Sequence, residues 1–406
     1  MIVQHFLKWI DTAKVAERAS AANALARAYA FSALSFEDRC AAEAALTLLL
    51  DDPSPKVRLA MAEPLSLCHH APGQIVSALA SDQPEIAALM LLRSPLLKDA
   101  DLIDRVAGGP DNTRRLIAMR PRVSAPLAAA IGEIADAAAC VELLKNTGAD
   151  IAAISLKRIA ERHGCDAAVR EAMLASRQLA PDTHHLLMTK LGEALSGSAL
   201  VRALMGQPRA EKVAKDACVI ASVSLIDRTP AAECPTLVEH LRMSGELTSS
   251  FLVRVVAHGK IDFFGAALVS LSGHREARVR SLLADGRDVA LEALFRAAGL
   301  AAGTHRVLIA AILVWREVAK GKRIAGPQEV SWLMLRSLDD AKGEPDGKLA
   351  TLLSSIHLQV LRENARLHAA AIRLPDSEPA LPDIEIDLSE DDLALLDAQY
   401  ALADAA

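Results

Sequence analysis

Asp51–Leu65, DDPSPKVRLAMAEPL, decides how the rest of the chain is read. Two aspartates stand where a helix N-terminus wants a side-chain acceptor, and prolines follow at positions a first turn tolerates. Val57, Ala60, Met61 and Leu65 then recur at helical spacing. A helix this short cannot cover its own apolar stripe, so it needs a neighbour on each side, which is the logic of a helical repeat.

The pattern extends in both directions. Upstream, Glu37–Leu50 reads as a helix that makes the first complete pair with Asp51–Leu65, and residues 1–30 read as an amphipathic cap for the open end. Downstream, SDQPEIAALMLLRSP places Ile86 29 residues after Val57, and PDNTRRLIAMRP places Leu116 30 residues after Ile86. Each unit is an apolar helix, a turn rich in Asp, Pro or Gly, then a second helix. Asp111 after the Gly108–Gly109 turn reads as a helix cap. Residues 196–216, with Gly, Pro and mixed charge, read as a hinge between two halves. Helices are expected around 217–228, 235–243, 246–257, 261–271, 276–284, 287–298, 304–320, 327–340 and 349–372.

DPSPKVRLAMAEPL, with Asp52, Val57 and Arg58 ahead of a small, apolar helix, resembles a HEAT-type repeat, and ARVRSLLADG at 277–286 is a weaker echo. The longer run from SPKVRLAMAEPL through LLRSPLLKDADLI, AMRPRVSAPL and LLKNTGADIA to ASRQLAPDTHHLLMTKLGEAL resembles an uncharacterised bacterial family, mainly alphaproteobacterial, over roughly residues 40–300. The resemblance implies a fold and brings no chemistry, since its motifs are turns and caps.

Composition agrees with an all-α chain: 52% of residues are apolar and only 3% aromatic, which starves strands of their usual side chains. The net charge of −6 conceals an uneven distribution. Pro375–Ala406 holds ten acids and no Lys or Arg, leaving 41 of the 51 acids and all 45 basic residues in the first 374, a net of +4. The longest apolar run, Val307–Trp315, is about half of a membrane span and is bracketed by Arg306 and Arg316. Six cysteines without a CxxC pair read as small core residues of a reducing compartment, so a cytoplasmic chain is expected.

Candidate chemistry is sparse. Cys68-His69-His70, His163-x-Cys165 and His184-His185 lack the spacing that brings pairs to one ion, so no metal or other cofactor is expected and these histidines read as helix-end residues. SGS at 196–198 and LSGH at 271–274 lack the strand-to-helix context of a nucleophile turn. No phosphate-loop motif is present.

Arginine groups are better candidates: Arg114 and Arg115, with Arg120 and Arg122 nearby, and Arg275, Arg278, Arg280 and Arg287. A repeat stack can line such side chains along a concave face, or it can use them to bridge neighbouring units and cover apolar surface. In the C-terminal stretch, Ser389 precedes Glu390, Asp391 and Asp392, and Leu393, Leu396 and Tyr400 follow as an apolar stripe suited to a groove.

The expected architecture is an all-α, HEAT-like α-solenoid with a flexible acidic C-terminal tail, divided as 1–205, 206–373 and 374–406. The expected function is non-enzymatic: a scaffold or adaptor that binds a protein or peptide on its concave face through those arginines and Leu393, Leu396 and Tyr400, with the tail able to dock on the body. A nucleic-acid- or nucleotide-binding repeat using the arginine groups is the alternative, and a membrane is not expected to be a partner.

Overall fold

Short helices with punctuated ends dominate, because Pro, Asp or Ser recurs at many of the starts. Pro55, Pro84 and Pro181 each open a helix, and Ser124, Asp136, Asp166 and Thr248 cap others through side-chain oxygens. The computed structural model describes residues 9–10, 12–175, 179–339 and 347–373. Among these residues twenty-two α-helices are delimited and no strand occurs, a single bridge joining Val123 to Ala149.

The first half is a stack of two helical ranks. Pro55–Leu65, Pro84–Arg93, Asp111–Ala118, Ala137–Lys145 and Ala167–Leu174 begin 29, 27, 26 and 30 residues apart, and each packs on the next. Between them run Gly73–Leu79, Asp99–Gly108, Ala125–Ile134, Ala153–His163 and Pro181–Gly197, beginning 26, 26, 28 and 28 residues apart. From Asp99–Gly108 onward these also pack in succession. Val57, Ile86 and Ile117 are buried at equivalent places. The third differs by one position from the Leu116 of the sequence reading: Leu116 is only partly covered because Ile117 and Ala118 turn inward.

The sequence pairing of 37–50 with the Asp51 segment is corrected by the packing. Pro55–Leu65 packs mainly on Val15–Phe31, and Phe36–Leu49 touches both. The buried Ala22 and Ala26 let those two helices approach closely, and Asn23 donates to the Ala60 carbonyl across the gap. The two caps read from aspartates also differ. Ser54, not Asp52, stands at the N-cap, while the Asp52 carboxylate accepts the Ser54 amide and a fork from Arg18. Asp111 is the first residue inside its helix, with Pro110 at the cap, and its carboxylate accepts from Arg114.

Each short helix ends with carbonyls that have no partner in their own helix. Side chains about one unit further along the chain supply the donors. Arg105 reaches the Ala80 carbonyl, Arg120 those of Leu91 and Ser94, Asn146 those of Ala118 and Arg120, and Arg162 those of Gly132 and Ile134. Ion pairs repeat the interval: Arg58 forks onto Asp82, Lys157 meets Asp182 at 2.9 Å, and Arg158 meets Glu133 at 2.6 Å.

Buried apolar residues form two clusters, one from Ala22 to Leu187 and one from Val223 to Val360. The second is built on longer, less regular helices. Ala302–Ala319 runs through its centre and buries Val307, Leu308, Ile309, Ala311, Ile312 and Val314, so the longest apolar run of the sequence is a core helix. Residues 196–216 form no hinge loop. Ala199–Met205 and Gln207–Arg228 are helical, and Gly206, at φ +76°, is the break between them.

Arg120 gives a direct test of the carbonyl bridging. Its guanidinium is buried and burial lowers its pKa, yet it gives two donors to helix-end carbonyls. Arg120→Met keeps the apolar stem and strips those donors. It should lower unfolding free energy by about 2–4 kcal/mol in urea titration, whereas Arg158→Met, at a half-exposed surface pair, should leave the midpoint in place.

Candidate partner-binding groove

Four helices of the second core, Cys234–Met243, Ile261–Ser272, Glu276–Asp285 and Ala302–Ala319, enclose an open groove of about 720 Å³. Its floor exists because small residues face it: Gly265, Ala266 and Ala284 leave room that larger side chains would fill. Val238, Ile261, Val269, Val279, Leu283, Ile312 and Trp315 give it apolar walls. Trp315 is fixed at both ends of its ring system. The indole Nε1 donates to the Val256 carbonyl at 2.8 Å, and the ring lies against Gly259, where an added Cβ would sit 3.0 Å from the indole. With φ at +76°, Gly259 also holds a backbone shape that L residues rarely adopt.

The polar groups at the groove are mostly engaged with their own neighbours. Arg280 pairs with Glu276 at 2.7 Å one helical turn away, and Glu239 pairs with Arg242. Arg316 spends its guanidinium on the carbonyls of Leu282, Leu283 and Gly286, closing the C-terminus of the Glu276–Asp285 helix. Asp262 lines the rim and is exposed. A ligand would therefore meet an apolar trough whose charges are balanced, which favours an apolar surface over a polyanion.

Of the residues singled out from sequence, Arg280 lines the groove, and Arg275, Arg278 and Arg287 are exposed on the same helix–turn–helix unit. Arg275 and Arg287 occupy the N-cap positions of adjacent helices. Arg114 belongs to the other core: it bridges Asp111 and the Val106 and Ala107 carbonyls, while Arg115 is exposed. The two arginine groups thus sit in units built on separate hydrophobic clusters. Leu393, Leu396 and Tyr400 lie outside the described residues. The groove itself had no signature in the sequence, since small residues on a helix face read equally well as tight packing.

A second polar feature joins the two cores. His185, buried on Pro181–Gly197, places Nε2 2.9 Å from Ser222 Oγ and 3.2 Å from a Glu246 carboxylate oxygen, with Nδ1 3.2 Å from His240 Nε2. Lys157 and Asp182 pair nearby. The helix-end reading of His184-His185 is corrected here: the pair lies inside the helix, and His185 faces partners 37 to 61 residues away, a separation that no local motif reports.

Burial pulls the His240 pKa below the ordinary histidine value, and the charges of His185 and Lys157 add to this against the opposing pull of Asp182 and Glu246. The unfolded chain binds this proton near pH 6.5, the folded chain only at lower pH. The stability linked to His240 is thus whole above about pH 7 and declines as pH falls through ~6.5. Melting curves from pH 7.5 to 5.5 should show that decline, and His240→Gln should make it shallower.

The cysteines divide by burial. Cys68, Cys140 and Cys234 are buried, Cys218 is half-buried, and Cys40 and Cys165 are exposed. Burial pushes the Cys140 thiol up to about 11 and raises that of Cys234 at the groove. A maleimide at neutral pH should label Cys40 and Cys165 in the native chain, and Cys68, Cys140 and Cys234 only after denaturation; fast native labelling of Cys234 would place a reactive thiol in the groove.

Among the described residues no helix is long and apolar enough to cross a membrane. Neither a curated protein nor a solved structure matches the chain. The family whose model matches, described as an uncharacterised protein conserved in bacteria, begins and ends later than the span of roughly 40–300 that carried the resemblance. It leaves out the Pro55–Leu65 helix and takes in Ala302–Ala319 and Pro327–Asp339. With its model matched over residues 86–345, more than half of the sequence, the chain belongs to this bacterial family, DUF2336.

Proposed function

We propose that this protein is a non-enzymatic cytoplasmic scaffold, a HEAT-like α-solenoid that docks an apolar face of a protein or peptide partner in the groove of its second core. The observation that carries the reading is the groove: an apolar trough of about 720 Å³, walled by four helices and open to solvent, with most of its charged groups engaged by neighbours. A partner helix laid there buries apolar surface, which supplies affinity, while Arg280, Asp262 and the exposed Arg275 and Arg278 at the edge select for charge. The two-rank repeat of the first half supports the solenoid reading, since units that contact their neighbours at a spacing of 26–30 residues build an extended surface.

The acidic stretch from residue 374 onward is placed in the same scheme as a competitor for the positive edge of that surface, with Leu393, Leu396 and Tyr400 as its apolar contacts. The experiment is an affinity capture from host lysate, with and without nuclease, using the full chain, a chain ending at Arg373, and Ala266→Glu, which puts a charge on the groove floor. A protein retained by both wild-type forms, indifferent to nuclease, enriched by truncation and lost at least tenfold with Ala266→Glu is the expected result. Retention by Ala266→Glu would remove the groove from the reading. Loss on nuclease treatment would replace the protein partner by nucleic acid.

A further inference from the structure

The seam between the two hydrophobic clusters holds a polar contact whose hydrogens can be placed from its partners. Pro181–Gly197 gives Leu187 to the first cluster, while Ser222 and His240 stand on Gln207–Arg228 and Cys234–Met243, helices that build the second. Ser222 Oγ donates its one hydrogen to the Cys218 carbonyl at 2.7 Å, so toward the His185 ring it accepts. The Glu246 carboxylate, 3.2 Å from the same ring nitrogen, is an acceptor as well. His185 Nε2 therefore carries a hydrogen. In the neutral ring Nδ1 is then an acceptor, and the hydrogen it takes across 3.2 Å comes from His240 Nε2.

This arrangement admits one further proton and refuses a second. A proton added to His185 leaves Nε2–H on Glu246, now as an ion pair, and gives Nδ1 a hydrogen that turns to His240. The half-buried His240 answers by moving its own hydrogen to Nδ1 and accepting at Nε2, and it stays neutral. A second proton puts N–H on both facing nitrogens, between two positive rings whose centroids are 5.2 Å apart. No tautomer relieves that clash, so the rings titrate as a coupled pair. We propose that the His185–His240 contact is a pH-operated latch across the seam, closed while the two rings hold one added proton or none and opened by the second.

The surrounding charges set when the second proton arrives. At His240 burial opposes it first, then the charges of His185 and of Lys157 on Ala153–His163, against the pull of Asp182 and Glu246. Lys215, on Gln207–Arg228, bears on Glu246, and Arg228 of the same helix bears on His184. Lys190 and Glu193 pair with each other, as do Glu239 and Arg242 beside His240. Ala199–Met205 brings only Arg202, which is exposed, and Glu233 and Asp262 bear on Cys234 at the far end of the His240 helix. Opening frees one edge of the joint. Gln207–Arg228 stays on Pro181–Gly197, where Cys218 Sγ lies 3.6 Å from the Met188 carbonyl, while Cys234–Met243 loses its polar hold on that helix. The latch is a property of the seam and stands whether or not a partner occupies the groove.

Histidine nitrogen shifts and amide hydrogen exchange, followed on the full chain from about pH 7.5 to about pH 5.5, test it. At the upper pH both His185 and His240 should appear as neutral Nε2–H tautomers, each signal assigned by its loss in a single variant. Amides of residues 237–243, corrected for the intrinsic effect of pH, should exchange at least tenfold faster at the lower pH. Those of residues 307–314, in the centre of the second core, should not. His240→Gln keeps a donor facing His185 Nδ1 but takes up no proton, so it should hold 237–243 protected throughout. A neutral His185 with its hydrogen on Nδ1 overturns the proposal, as does exchange in 237–243 that ignores pH. An equal rise in 307–314 overturns it too, because acid would then be unfolding the whole core. So does a His240→Gln chain that opens as the wild type does.

Discussion

Unpaired carbonyls at the ends of short helices are the constraint on which this fold depends. A helix of eight to eleven residues leaves a large share of its C=O groups without an intrahelical donor, and in a stack those groups are partly shielded from water. The chain answers with side chains one unit further on. Arg105, Arg120, Asn146, Arg162 and, in the second core, Arg316 each donate to the end of an earlier helix at separations of 25 to 34 residues. An apolar stripe alone tolerates sliding of one helix over another; a guanidinium aimed at two particular carbonyls does not. Apolar burial thus holds the stack together, and the arginines fix its register.

The same demand explains why arginine is a poor guide to function here. Arg58, Arg114, Arg120, Arg158, Arg162 and Arg316 are bound to carbonyls or carboxylates of the chain itself. Arg275, Arg278 and Arg287 are among the arginines that stay exposed, and their unit borders a groove whose own character is apolar. In the proposed docking, affinity and charge selection come from different residues: Val269, Leu283 and Trp315 on one hand, Arg275 and Arg278 on the other.

The helical character of the chain was legible, because hydrophobic periodicity and Pro, Asp and Ser punctuation are local signals. The helix expected at 261–271 occurs as Ile261–Ser272, and that at 276–284 as Glu276–Asp285. Errors arose where a tertiary contact outcompeted a local preference. Asp52 reads as a cap, yet the fork from Arg18, 34 residues earlier, draws its carboxylate into an ion pair. At 196–216 the break between Ala199–Met205 and Gln207–Arg228 falls at Gly206 alone, since Pro208 lies in the first turn of the second helix, where its missing N–H costs nothing. The groove and the His185 cluster were illegible for a different reason: each is assembled from helices far apart in sequence, and each uses residue types that are unremarkable on their own helix.

The seam between the two cores is held differently from either core. Pro181–Gly197 belongs to both, with Leu187 in the first cluster and Met188 packed against the second. What ties that helix to the second half at this level is a set of directional contacts, His185 with Ser222, His240 and Glu246. A greasy joint can slip, but a buried histidine with partners on both ring nitrogens penalises any slip with an unsatisfied polar group.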